Sequence, residues 1–167
     1  PSVYIEKNFY VSMVKKINYP NKSEFLAEEC GIHLGDGYMK IKKNKWGKHY
    51  EYQFSAHAND DYDYINYVKN LMIELYGLDK VYVRKKENRF DMIYNSKELI
   101  NFKLSIGVPL SPKINLIIPE WIKNNKAFLA SFLRGLFDTD GCLSFKSKNG
   151  NLHNYPVISI RLKDKSL

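Results

Sequence analysis

The feature that most constrains this 167-residue chain is a pattern written twice. One apolar, helix-like run ends in CGIHLGDG at Cys30–Gly37, and another ends in RGLFDTDG at Arg134–Gly141. Setting Asp36 over Asp140 also sets Gly31 over Gly135 and Gly37 over Gly141. After each Asp-Gly the periodicity changes from helical to alternating: YMKIKK and YEYQFSAH in the first copy, CLSFKSK and YPVISIRLK in the second. A helix that runs into a hairpin cannot bury its apolar face alone, so two such units are expected to share one core.

Between the copies the chain is legible in the same terms. Ser23 is a good N-cap for a helix from Glu24 to about Leu34. Asp60 to Tyr76 places Ile65, Val68, Leu71, Met72 and Leu75 at helical spacing, and Gly77 closes it. VYVRK and RFDMIY predict a second hairpin turning around Lys86–Asn88, and a short helix is expected over Ser96–Leu104. PLSPKINLIIPEW, with three prolines, reads as a linker and not as an element. The expected architecture is α+β: an αββαββα half over residues 1–107 with its leader segment, a linker over 108–125, and an incomplete αββ second copy over 126–167. The second copy stops after its first hairpin, and the chain opens on Pro1, so truncation or excision from something longer is expected.

Composition bounds the function. No apolar run approaches the roughly 18 residues that a membrane span needs, and no secretory signal opens the chain. Net charge is +8, which suits a polyanionic partner, although a merely soluble Lys-rich surface would look the same. Cys30 and Cys142 show no ligand spacing, which argues against a structural zinc site and for an intracellular, reducing setting, with both thiols expected in the core.

The clustered acids need a reason. Gly31 and Gly135 lack a Cβ, so helices crossing there could pack closely, with Ala27 and Ser131 one turn earlier. That crossing would bring Asp36 and Asp140 together at two helix C-termini, where the macrodipoles are also negative. Such a site repels itself unless divalent cations occupy it, and hard oxygen ligands suit Mg²⁺. A turn or cap aspartate before glycine explains one copy equally well. It explains two matched copies poorly.

These residues carry a resemblance. CGIHLGDG and LRGLFDTDG resemble the paired motifs of the LAGLIDADG homing endonucleases in their single-chain, pseudo-symmetric form, from about Glu24 onward. The second copy is the closer match. The first has Cys30 at the usual Ala and Gly35 beside the acid. The resemblance implies a twisted antiparallel saddle sheet beneath two central packed helices. It further implies a monomeric pseudo-dimer when full length, with self-association as another route to completion for a truncated chain. The implied activity is Mg²⁺-dependent, site-specific double-strand cleavage of DNA, with Mn²⁺ substituting, each acid serving one strand and the cut leaving a short 3′ overhang. Such enzymes are encoded within introns or inteins. Asp36 and Asp140 are the implied metal ligands, joined by the backbone of Gly35 and Thr139, while Asp138 braces the helix end. The family places a basic residue near Lys163, which could polarise the attacking water or stabilise phosphorane charge. His57 holds the pseudo-symmetric position and could handle protons, contact phosphate or be an ordinary surface histidine.

Strand alternation assigns the faces. Met39, Ile41, Tyr52, Phe54 and Ala56 are expected toward the helices, and in the repeat Leu143, Phe145, Ile158 and Ile160. The outer face then carries Lys40, Lys42, Glu51, Gln53, Ser55 and His57, with Tyr82, Arg84, Arg89 and Asp91 in the second hairpin and Ser144, Lys146, Ser159, Arg161 and Lys163 in the repeat. Trp46 tops the first hairpin beside Lys43, Lys45 and Lys48, a flank contact to DNA backbone. Cations for phosphates and bidentate groups for base edges are what a major groove requires, although a solvated face has a similar composition. Two rivals stay open: a binding protein on the same fold, either an RNA maturase acting on intron RNA or a DNA-binding relative that does not cleave, and a generic basic RNA-binding module.

Overall fold

The computed structural model describes residues 16–78, 81–114, 116–148 and 151–161. The elements are α1 (Glu24–Gly35), β1 (Gly37–Asn44), β2 (Gly47–His57), α2 (Tyr62–Tyr76), β3 (Tyr82–Lys86), β4 (Arg89–Tyr94), α3 (Lys97–Ser105), α4 (Glu120–Lys123), α5 (Lys126–Asp140), β5 (Gly141–Lys148) and β6 (Asn151–Ile160). The proline-rich segment therefore holds a one-turn helix, α4, which the linker reading did not anticipate. Pro119 is its N-cap, where the carbonyl accepts from the Ile122 and Lys123 N–H groups at 2.9 and 3.0 Å and the absent N–H costs no helix bond. α5 runs on past Asp138 through Thr139 to Asp140, so Asp138 lies inside the last turn.

Local chemistry explains the boundaries. The Ser23 side chain accepts from the Leu26 N–H at 3.2 Å, and Ser96 does the same for Leu99. Asn125 caps α5 by accepting from Ala127 and Phe128. Gly77 ends α2 with φ 62°, a left-handed conformation that favours glycine.

β1–β2–β4–β3 form one antiparallel sheet in that order, and β5–β6 form a separate two-stranded sheet. The register pairs Met39 with Tyr52, Tyr52 with Tyr94 and Phe54 with Met92, all buried on one face against α2 and α3. α1 is enclosed from Leu26 to Leu34, which makes it the centre of the core.

Leu143 and Phe145 do share a face with Ile158 and Ile160, as alternation requires. That face is not inward: Phe145 is 55 % and Ile158 72 % exposed. The first hairpin is covered by α2 and α3, and among the described residues no helix does this for β5–β6. Cys142, expected in the core, is exposed on the opposite face across from Ser159, whereas Cys30 is buried.

Candidate active site and nucleic-acid interface

The site begins with two glycines. A Cβ on Gly31 would stand 2.0 Å from the Phe132 carbonyl oxygen, and one on Gly135 would stand 2.3 Å from that of Glu28. Only glycine at both positions lets the backbones of α1 and α5 approach this closely, with Ala27 and Ser131 buried beside them. Glu28, buried, bridges the crossing by accepting from Arg134 of α5 and, at 2.7 Å, from the Tyr67 hydroxyl of α2.

One consequence is that the helix ends converge. The position a Gly35 Cβ would take lies 1.9 Å from Thr139 Oγ1 and 3.4 Å from Asp140 Oδ2. Asp36, the C-cap of α1, and Asp140, the last residue of α5, line one cavity of about 760 Å³ together with Tyr38, Lys40, Lys113 and Arg161. The Asp36 carboxyl is pushed up to about 6, first by desolvation from the protein around it and next by Asp140, with Lys113 acting in the opposite direction. Two carboxylates therefore oppose each other's ionisation here. Among the described residues no third histidine, cysteine or carboxylate joins them. Such a pair fits a hard divalent cation only if water or phosphate oxygens complete the shell, which is the habit of Mg²⁺.

Lys113 was missed from the sequence. Its ammonium reaches back from the linker to donate to the carbonyls of His33 (3.0 Å), Leu34 (2.7 Å) and Gly35 in the last turn of α1, where the His33 carbonyl also accepts from the Asp36 N–H. The linker is held for this by Ser111, whose N–H donates to the Met39 carbonyl at 2.8 Å. A lone lysine among prolines carries no local signal of such a role. Nearby His33 is buried and stacked on Tyr52, and burial, followed by Lys103 and Lys113, holds it well below the usual histidine range against the opposing pull of the Pro109 backbone.

The other sequence-selected residues sort themselves by geometry. The Gly35 carbonyl is engaged by Lys113, and the Thr139 hydroxyl donates to the Leu136 carbonyl at 2.9 Å. His57 ends β2 outside the cavity lining, with Nδ1 3.0 Å from the Asp60 carboxylate. Lys163 lies outside the described residues. Lys42 pairs with Glu51 at 3.5 Å, and Lys45 lies over the ring of Trp46, which is 85 % exposed. Lys48 is exposed on the tip, and Ser144, Lys146 and Ser159 stand on the β5–β6 ladder with Arg161 just beyond it.

Gln53, Ser55, Arg84 and Arg89 share the outer face of the large sheet and converge on Asp91. Asp91 is no surface contact; it is buried under them, and Lys86, the last residue of β3, is 3.4 Å away. Desolvation raises the Asp91 carboxyl, but the Ser55 hydrogen bond, Arg89 and Lys86 outweigh it and hold the group below the usual carboxylate range.

Residues 127–167 match the LAGLIDADG-like domain family. A solved structure of I-DmoI in complex with DNA and Mn superposes with a TM-score of 0.53 at 22 % identity, over 73 % of this chain and 64 % of that one. A second, in complex with DNA and Ca, gives 0.50 at 21 %, over 71 % and 58 %. The fold is that of the LAGLIDADG homing endonucleases. An uncharacterised protein of Methanocaldococcus jannaschii is 28 % identical over 158 residues, 92 % of this chain and 54 % of its own length. The chain thus spans about half the length of that relative and under two thirds of the solved chains. The LAGLIDADG fold accounts for the crossed glycines, because its two central helices are α1 and α5. No described helix is long and apolar enough to cross a membrane.

Proposed function

We propose that this protein is a site-specific DNA endonuclease that makes divalent-metal-dependent double-strand breaks at a long recognition site, of the intron or intein homing kind. The observation that carries this reading is the meeting of Asp36 and Asp140 in one cavity, beneath a duplicated helix–Asp-Gly–hairpin, on a fold whose solved relatives are complexes with DNA and a divalent metal. Asp36 and Asp140 would hold the metal, Mg²⁺ by the oxygen donor set and Mn²⁺ as its substitute. When bound, the metal would activate water against the scissile phosphate and stabilise the departing 3′ oxygen.

The chain's own residues do the rest. Lys113 ties down the last turn of α1 and so fixes the residue before Asp36. Lys40 and Arg161 line the same cavity, where cations suit the phosphates on either side of the cut. The basic outer face of β1–β2–β4–β3 lies along the duplex and reads it. This activity belongs inside the cell, where the target is.

The test is cleavage of a plasmid library carrying randomised sites, in Mg²⁺ and in EDTA, by the chain and by Asp140→Asn. Mg²⁺-dependent breaks at one sequence are expected. Loss of a direct metal ligand should reduce them by more than the roughly 10–100-fold typical of outer-shell changes. Tight, salt-sensitive DNA binding without breaks would instead make the chain a binding-only relative, and binding of intron RNA alone would make it a maturase.

A further inference from the structure

The outer face of the large sheet holds an anion where a simple phosphate-binding surface would have none. Asp91 sits on β4, an inner strand, directly opposite Ser55 on β2 and Arg84 on β3. It is fully buried, yet it occupies the solvent face of the sheet. A surface meant only to attract DNA gains nothing by burying a carboxylate among its cations, since that desolvates a charge and neutralises part of the patch.

The hydrogen bonds around Asp91 are directional. Arg89 approaches side-on, Nε at 2.8 Å from Oδ1 and Nη2 at 3.4 Å from Oδ2. That commits the guanidinium's inner edge and leaves the N–H bonds of its far end pointing away from the carboxylate. Ser55 donates its hydroxyl proton to Asp91 Oδ1 at 2.9 Å, so its oxygen can only accept from Gln53 Nε2, at 2.8 Å. Gln53 Nε2 also donates to Asp91 Oδ1 at 3.2 Å. Those two acceptors lie 2.9 Å apart and together draw Nε2 toward the carboxylate, which leaves Oε1 as the outward acceptor of the Gln53 amide. Arg84 and Lys86 balance the second carboxylate oxygen from 3.6 and 3.4 Å.

We propose that Asp91 is a positioning residue for base readout: it sets Arg89 to select a guanine and Gln53 to select a nearby base with an exocyclic amino group, adenine or cytosine. The inference rests on the DNA-endonuclease reading of this fold. An end-on guanidinium matches the two acceptors O6 and N7 of guanine, while a lone acceptor matches the major-groove N–H of adenine N6 or cytosine N4. Without Asp91 both side chains lose their common anchor. Arg89 could then swing to a phosphate, and the Gln53 amide could flip to present either end.

The test is selection from a randomised double-stranded DNA library in EDTA, where only binding is read, by the chain and by Asp91→Ala, Asp91→Asn, Arg89→Ala and Gln53→Leu. The unaltered chain should prefer guanine at one position by a factor of about 10 or more, with adenine or cytosine favoured close by. Arg89→Ala should flatten the first preference and Gln53→Leu the second. Asp91→Ala should flatten both together while preferences elsewhere and total affinity stay within a few-fold. Circular dichroism checks its fold, and Asp91→Asn, which keeps the shape and loses the charge, gives the same reading if the alanine variant unfolds. Both preferences intact in the Asp91 variants would overturn the inference, as would a uniform loss of affinity across all sequences in folded protein. Failure of the unaltered chain to select any DNA would overturn the endonuclease reading itself, and this inference with it.

Discussion

Glu29 and Lys103 form an ion pair with no exposed surface on either side chain. The Glu29 carboxylate also accepts from the hydroxyls of Tyr52 at 3.3 Å and Tyr76 at 2.9 Å, and the Lys103 ammonium lies 5.1 Å from the centre of the Tyr52 ring. Every lone pair that burial took from water is thereby given a partner, and α1, β2, α2 and α3 are joined at one point. Burying two charges brings little net stability, but removing one strands the other. Lys103→Met should therefore destabilise the protein by about 3–5 kcal/mol. Adding Glu29→Gln to Lys103→Met should recover much of that, because the uncompensated charge is gone. Chemical denaturation of the two variants decides the matter: equal losses in both would show that the cluster contributes through packing and not through charge.

At the level of elements, the crossing of α1 and α5 is the joint on which the acid pair depends. A methyl group on Gly135 would press against the backbone of Glu28 and Ile32, at 2.3 and 3.0 Å, and backbone cannot move aside as a flexible side chain can. Alanine is the better helix former by about 1 kcal/mol, yet overpacking of this kind costs about 1–3 kcal/mol and the helices must separate. Gly135→Ala is expected to lower the melting temperature by several degrees, at roughly 2–4 °C per kcal/mol for a chain of this size, and to reduce cleavage beyond the loss in folded protein. A rise in melting temperature with full cleavage would mean that the helices do not pack this closely. This joint was legible in the sequence because the glycines, the acids and the change of period recur together. So were the Ser23 cap and the buried face of β1–β2, which are local patterns. Lys113 and Lys103 were not legible: their partners lie 78 and 74 positions away, and nothing near either lysine marks it as anything but surface charge. Alternation puts Asp91 on the correct face, but its burial depends on Arg84 and Lys86 folding over it from β3 and on Arg89 two residues earlier in its own strand.

The whole molecule is uneven. The first hairpin belongs to a four-stranded sheet closed on one side by helices, while β5–β6 is a two-stranded ladder with Leu143, Phe145, Ile158 and Ile160 turned to solvent among the described residues. An isolated pair of strands is marginal in water, whereas a sheet with a covered face is not. The two halves of the proposed DNA surface should then differ in stability though the sequence writes them in one pattern. In hydrogen exchange on the chain alone, amides of β5 and β6 should exchange on the order of tenfold or more faster than those of β1 and β2, since local opening there exposes little that is not exposed already. Binding to a cognate duplex should slow the weaker hairpin far more than the stronger one, because the sheet over Asp91 is formed in advance and the ladder carrying Ser144, Lys146 and Ser159 is steadied on contact. Equal protection of both hairpins in the free chain would show instead that the apolar face of β5–β6 is covered in solution. The asymmetry would then lie only in which residues cover each half, and not in how firmly each is held.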